Sequence, residues 1–205
     1  MSNPIIDAIE RRNTINLFDP SGRIGDEVIA ELVSLATRAP TSFNLQNWRF
    51  IAARTPEAKA RLRAVAWNQA KVEEAAVTFV VCGQVTDESV VAERLAPVVD
   101  AGIMPAAMVP GWEAAARTLY SGQPGRQRDE AIRTATFGAA TLIHAATALG
   151  LGTAPMIGFE PEGVIREFGL RMDEIPVMLL AVGIARPENW PQKPRRPLSQ
   201  VLELV

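Results

Sequence analysis

Four separated segments of this 205-residue chain carry polar and cationic side chains in patterns suited to holding a ligand. Arg12-Asn13-Thr14-Ile15-Asn16 is a helix end running into a donor-rich loop, a place where a guanidinium and a hydroxyl can meet an anion. Ala39-Pro40-Thr41-Ser42-Phe43-Asn44-Leu45-Gln46-Asn47-Trp48 crowds hydroxyls and amides between two apolar segments, and such loops also leave backbone groups free. Asn68-Gln69-Ala70-Lys71 sets an amide and an ammonium three residues apart, so on a helix they share one face and could meet a carbonyl-bearing ring. Lys193-Pro194-Arg195-Arg196-Pro197 holds three cations extended by prolines, ready for a phosphate at little ordering cost. Each also has an ordinary reading: a solvated helix end, a capped turn, a solvated helix surface, a soluble basic tail. Together, Arg12 and the cationic tail supply the contacts that a phosphorylated ligand requires.

Other chemistries lack their parts. His144, the single histidine, sits among Ala, Leu and Ile and reads as a hydrogen-bonded packing residue, with no second histidine or cysteine cluster to make a metal site. With no other base and no G-x-S-x-G elbow, Ser-His-Asp and Cys-His hydrolysis are not supported. An enzyme with this inventory leaves its hard chemistry to a cofactor. A formal charge of -2 and pI of 5.6 give no basic surface for nucleic acid. The longest apolar run, residues 176–185, is too short to span a bilayer, and residues 1–12 do not read as a secretory leader. Cys82 is alone, so no intrachain disulfide is expected and a cytoplasmic location follows as the default.

These segments need a scaffold, and one unit spanning 1–205 is expected from the length, with no repeat or linker. Asn3-Pro4 begins a helix with an Ile5, Ile6, Ile9 stripe running to about Arg12. Asp26 reads as the cap of a second helix whose Val28, Ile29, Leu32, Val33 and Leu35 face the core, ending before Pro40. Strands are expected over 48–53, 76–82 and 177–185, with a helix from Thr55-Pro56 and another over about 68–75. Residues 85–124, with Met104, Met108, Trp112 and Tyr120 among Gly and Pro, have mixed character. A helix over about 126–149 presents Ala, Thr and Gly138, a thin face for close backbone approach, and Gly150 and Gly152 stop it by permitting positive φ. A further helix covers about 162–169. The proline-studded tail 187–197 should run extended, with 198–202 as an edge strand; little in a lone chain would hold such an arm, which points to another subunit.

In order along the chain, residues 12–20 resemble an R-R-S-x-R-x-F/Y opening, 39–50 resemble A-P-S-S-x-N-x-Q-P-W-x-F, and 68–71 resemble N-x-x-K. Residues 149–159 resemble a G-L/Y-G/D-x-x-P-x-x-G-F turn, and 193–198 resemble K-x-R-x-P-L. Those blocks are similar to the signatures of the FMN-dependent nitroreductases, and the match covers nearly the whole chain. The resemblance implies an α+β, nitroreductase-like fold: a central, mostly antiparallel sheet flanked by helices, in an intertwined homodimer with its C-terminal arm exchanged. It implies FMN held between subunits, with Arg12, Asn13, Thr14, Asn16, Lys193 and Arg195 around the phosphate. Pro40, Thr41, Ser42 and Asn44 would come from the other subunit. Asn68 and Lys71 would meet the flavin's pyrimidine edge, and Pro155, Met156, Ile157 and Gly158 would pass its N5 side.

No catalytic side chain is then required. The resemblance implies ping-pong transfer from NAD(P)H, as co-substrate, to a small acceptor such as a nitroaromatic, quinone or enone. Reductive dehalogenation, flavin cleavage or non-catalytic flavin binding are the alternatives within the same resemblance. The chain departs from the pattern at Asn13, at Asn16 in a cationic slot, at Asn47 in place of proline, and at Ile157.

Overall fold

Helix α1, Pro4–Arg11, starts as its first residues dictate: the Asn3 side chain accepts from the Ile5 N–H at 3.0 Å and Pro4 takes the first turn, where it sacrifices no bond. This structure, a computed structural model, describes residues 3–205; Met1 and Ser2, the start of the segment read for a leader, lie outside the described residues. The Ile5, Ile6, Ile9 stripe of α1 faces outward, and only Ala8 of this helix is buried. Helix α2, Asp26–Ala36, buries Leu32 and Ala36 with Val28, Ile29 and Val33 packed behind them. Two expectations fail here. Gly25, not Asp26, is the cap residue, because the Asp26 carboxylate is taken by an ion pair with Arg54, and Leu35 points out to solvent.

The described residues form a four-stranded sheet, where three strands were expected. Strands β1 (Trp48–Ala53), β2 (Val77–Gln84), β3 (Gly152–Met156) and β4 (Glu174–Gly183) lie in the order β1-β2-β4-β3, every pair antiparallel. Pro155 hid β3 from the sequence; proline is tolerated there because β3 is an edge strand. Pro176 likewise masked the start of β4, and sits opposite Cys82 where the ladder slips register at a bulge. Gly150 takes positive φ as expected, but Gly152 does not: it is needed because a side chain there would run into Ile15 and Ala185.

The two central strands are buried on both sides, which explains their nearly unbroken apolar runs. Val80, Cys82, Leu179 and Ala181 face helices α3 (Pro56–Ala64), α4 (Lys71–Glu74) and α8 (Pro161–Phe168). Val77, Phe79, Val81, Leu180 and Val182 face α2 and the long helix α7 (Pro124–Ala148). The thin face of α7 is used as its composition suggests: Gly83 lets the Ala131 backbone come against the sheet, and Gly138 leaves room for Phe50 and Trp48. His144 of α7 departs from expectation, since its Nδ1 is buried without a hydrogen-bond partner among the described residues.

The unreadable stretch holds α5 (Val91–Asp100) and α6 (Val109–Tyr120). Leu45, Val91, Leu95, Met104, Ala116 and Tyr120 make a small separate core there, while Met108 and Trp112 remain exposed. Leu198–Gln200 form a 3-10 turn, and residues 198–202 do not make the expected edge strand. The first part of the tail before that turn is held by its own chain, as the next section describes.

Candidate cofactor site

The segment after α1 and the C-terminal tail are stitched together. Thr14 pairs in parallel with Thr153 of β3, and the Ile15 N–H donates to the Thr153 carbonyl at 2.9 Å. Asn189 does most of the joining: its Oδ1 accepts from the N–H groups of Asn16 (2.7 Å) and Leu17 (3.0 Å), and its Nδ2 donates to the carbonyls of Leu17 and Arg186. Asn13 donates to the Trp190 carbonyl at 2.8 Å, and Gln192 to that of Arg12 at 3.0 Å. The expectation that little in a lone chain holds the arm is therefore corrected for its first part, which these bonds fix up to Gln192, while residues 193–205 stay exposed. The same bonds shape a cleft of about 120 Å³ lined by Thr14, Asn16, Trp190, Gln192, Lys193 and Arg195. Arg12 adjoins it through its backbone bond to Gln192, without its side chain lining it. Arg196 turns away, its guanidinium bound to Gln200.

A second wall comes from residues 67–71 and 155–158. Trp67 and Asn68 both take left-handed backbone conformations (φ 51° and 55°), so Asn68 precedes α4 and the shared helical face expected for Asn68 and Lys71 does not exist. Arg63 holds the turn in place, accepting from the Asn68 N–H at its carbonyl, donating to the Asn68 carbonyl through Nε, and pairing with Glu73. Gln69 ties the turn to the other segment by donating to the Gly158 carbonyl at 2.8 Å. Gly158 must be glycine for this contact, because a Cβ would stand 2.8 Å from the Trp67 ring. Pro155 is exposed, Met156 is buried, and Ile157 projects 82% exposed with its N–H unpartnered among the described residues.

Lys71 links the two walls electrostatically. Burial holds its ammonium below the ordinary lysine pKa, and the nearby charge of Lys193 pushes it the same way. A second cation close to a half-buried one stores repulsion that an anion would relieve.

The loop 40–47 lies elsewhere. Phe43, Asn44 and Gln46 all have positive φ, a strained run that its own side chains sustain. Thr41 Oγ1 accepts from the Gln46 N–H, Asn44 Oδ1 accepts from the Gln46 amide, and Asn44 Nδ2 donates to the Arg94 carbonyl at 3.1 Å. Phe43 packs edge-on against Trp112 and Tyr120, and burial raises the Tyr120 phenol above its ordinary pKa. Thr41 and Asn44, expected to face a ligand, thus spend polar groups on the loop itself. Ser42 lines a separate cleft of about 360 Å³ with Tyr120, Arg126, Asp129, Glu130 and Arg133, and Pro40 is exposed.

Sheet geometry gives the separation. From β1 to β3 are three strand spacings, about 14 Å in all. Trp48 lies level with Ile175 of β4 through Gly83, whereas Gly152 lies opposite Gly183, a run of eight residues or about 26 Å along the strand. One chain therefore keeps Trp48, at the end of the loop, about 30 Å from Gly152, where β3 begins beside the cationic cleft. Fifteen of the expected site positions divide into two groups, 12–16, 68–71, 155–158 and 193–195 in one and 41–44 in the other, and Arg63, Gln69 and Asn189 are organisers that sequence reasoning missed. Nothing in the local sequence marks those three, since their partners are distant or set by backbone shape.

Comparison with known proteins gives the family and the fold. The model for the nitroreductase family matches residues 9–184. Protein DrgA of Synechocystis is 33% identical over 192 residues, covering 92% of this chain and 87% of its own. A Thermus thermophilus protein named NADH dehydrogenase is 31% identical, covering 97% and 96%. An Exiguobacterium sibiricum protein solved in complex with FMN superposes with a TM-score of 0.91 at 26% identity, covering 100% of this chain and 99% of that one. By family match, relatives and fold, this chain belongs to the nitroreductase family of oxidoreductases.

Proposed function

We infer that the protein is a cytoplasmic, FMN-dependent oxidoreductase that passes reducing equivalents from NAD(P)H to a small acceptor such as a nitroaromatic, quinone or enone, working as a homodimer. The observation that carries this reading is the convergence of uncommitted donors on one region. Thr14, Asn68 and Lys71 spend no side-chain hydrogen bond elsewhere among the described residues, and Lys193 and Arg195 line the same cleft as Thr14. Such a set fits a phosphate at the Lys193–Arg195 end and a ring with carbonyl acceptors near Asn68 and Lys71. The FMN bound by the Exiguobacterium relative supports the same ligand class.

A bound flavin would supply the redox chemistry, accepting a hydride from NAD(P)H and delivering reducing equivalents to the acceptor. The chain's part is positioning and electrostatics. Lys71 would hold a positive charge near a bound ring that gains negative charge on reduction, and so would favour reduction. The free Ile157 N–H offers a donor at the exposed turn, and no side chain need act as acid or base.

Two features support a second copy. Ser42 lines a cleft separate from the cationic one, and Trp48 at the loop's end lies about 30 Å along the sheet from the start of β3, so a site built from both would take the loop from another copy. An apolar groove of about 600 Å³ between α1, α2 and α7, lined by Ile5, Ile9, Leu35, His144 and Ala145, is open, and residues 193–205 are all exposed. An uncovered apolar area of this kind marks an interface, and exchange of the terminal arm would cover part of it.

The visible spectrum of purified protein, followed by anaerobic titration with NADH and NADPH and by sedimentation, tests the reading. The expected result is a yellow dimer bleached by at least one nicotinamide. Colourless monomer that refuses FMN at micromolar concentration overturns it, and a yellow protein bleached by neither is a flavin binder without this activity.

A further inference from the structure

We propose that a cleft separate from the cationic one binds a small zwitterion, an α-amino acid with an apolar side chain. It lies where β2 ends and β4 begins, has a volume of about 250 Å³, and shares no lining residue with the cationic cleft or the Ser42 cleft. Asn47, Arg94, Arg171 and Asp173 supply its polar groups, and Leu45 and Val90 apolar ones. That size is below what drug-sized ligands occupy and suits a molecule of few atoms.

Two groups at this cleft are left unmatched by the fold. Asn47 is only 3% exposed; its Nδ2 donates to the Gln84 carbonyl at 2.8 Å and its carbonyl accepts from the Gln84 N–H at 2.8 Å, which fixes the amide. Yet its Oδ1 is buried with no partner among the described residues. Arg94 Nε is buried and unpartnered in the same way, and its Nη1 reaches Glu93 only at 3.6 Å, an exposed pair of little strength. Buried polar groups are almost always paired, so an acceptor and a cationic donor both orphaned on one cleft are matched by something that enters it. Position 47 is also where the chain departs from its family pattern, which has proline there; proline carries no side-chain acceptor, so this part of the cleft is the chain's own.

The signs of the groups select the occupant. Arg171 is already engaged, with Glu174 at 2.9 Å and Asp173 at 3.6 Å, so Arg94 is the guanidinium left for an anion. Asp173 is half-exposed and, with Asn47 Oδ1, offers acceptors to a cationic N–H group. A bare anion such as phosphate would be repelled by Asp173, and a bare amine by Arg94. A carboxylate on Arg94, an ammonium toward Asn47 and Asp173, and an apolar side chain along Leu45 and Val90 match all three surfaces.

Calorimetric titration of the purified protein with L-leucine tests the proposal. The expected Kd is on the order of 0.1–1 mM, with isovalerate and isoamylamine, which each keep one charged end, at least about tenfold weaker and inorganic phosphate unable to compete. Arg94→Met should weaken leucine binding by about tenfold or more, and Asp173→Asn by roughly threefold to tenfold. Thermal melts without ligand show whether each variant folds, and the half-exposed Asp173 keeps the test open should Arg94→Met not fold. The proposal is overturned by no heat with leucine up to about 10 mM, by isovalerate or isoamylamine binding as tightly as leucine, by competition from phosphate, or by folded variants that bind leucine normally. Each of those results leaves the flavin reading untouched, since the two clefts share no lining residue.

Discussion

The division of the site between two chains can be tested by mixing two defective subunits. One variant carries Lys193→Ala and Arg195→Ala, which empties the cationic cleft while leaving Ser42 intact. Each charge-assisted contact to a phosphate is worth about 1.5–3 kcal/mol, so losing both should weaken flavin binding by roughly a hundredfold to ten-thousandfold. The other carries Ser42→Trp, which fills the separate cleft at the polar loop. Each homodimer has two broken sites. In a mixed dimer one site receives both defects and the other receives none. Random reassociation makes half the dimers mixed, so about a quarter of wild-type flavin sites should return. Flavin stoichiometry and NADH-dependent bleaching read this recovery, with native mass spectrometry confirming the mixed species. Verified mixed dimers that bind no flavin would refute the shared site, because every essential residue would then come from one chain.

Three further outcomes follow from the charges. Lys71→Met should weaken flavin binding yet stabilise the apoprotein: a lysine held below its unfolded pKa by burial, then by Lys193, costs stability while charged, and that cost fades as pH rises toward the unfolded value. Thermal melts of both proteins across neutral to alkaline pH check the sign. Burial alone would raise the Glu174 carboxyl, but the Arg171 N–H at 2.9 Å and the Arg49 and Arg171 guanidiniums outweigh it and hold it low. Glu174→Gln should therefore cost about 2 kcal/mol at neutral pH, or some 4–8 °C in Tm, and the gap should close as acid carries the native carboxyl through its lowered pKa. Equal gaps at about pH 7 and about pH 3 would count against that assignment. Burial, with the Glu174 charge, pushes the Cys82 thiol up to about 12, so native protein should resist iodoacetamide and react only on unfolding. The corresponding stability is complete below the unfolded thiol pKa and disappears as pH climbs from there toward 12.

Much of the scaffold was legible because its signals are local. Asn3-Pro4 and Thr55-Pro56 start helices through contacts two or three residues away, and Thr55 does accept from the Ala58 N–H. The apolar runs of β2 and β4 report burial on both faces. Where local signals conflict, legibility stops. Pro155 and Pro176 argue against strands that only an edge position and a bulge make acceptable. Gly and Pro blur α5 and α6, whose stability lies in mutual packing around Leu45 and Tyr120.

The chain alone thus determines which residues can form helices and strands, the order of its ligand-type motifs and its family resemblance, since each depends on neighbours along the backbone. Tertiary structure alone reveals that Asn68 leaves the helix in a left-handed turn, that Asn189 binds segments more than 170 residues apart, and that Ile5 and Ile9 face solvent. Those outcomes depend on which surfaces meet after the chain has closed, and a pattern of types and spacings holds no record of that encounter.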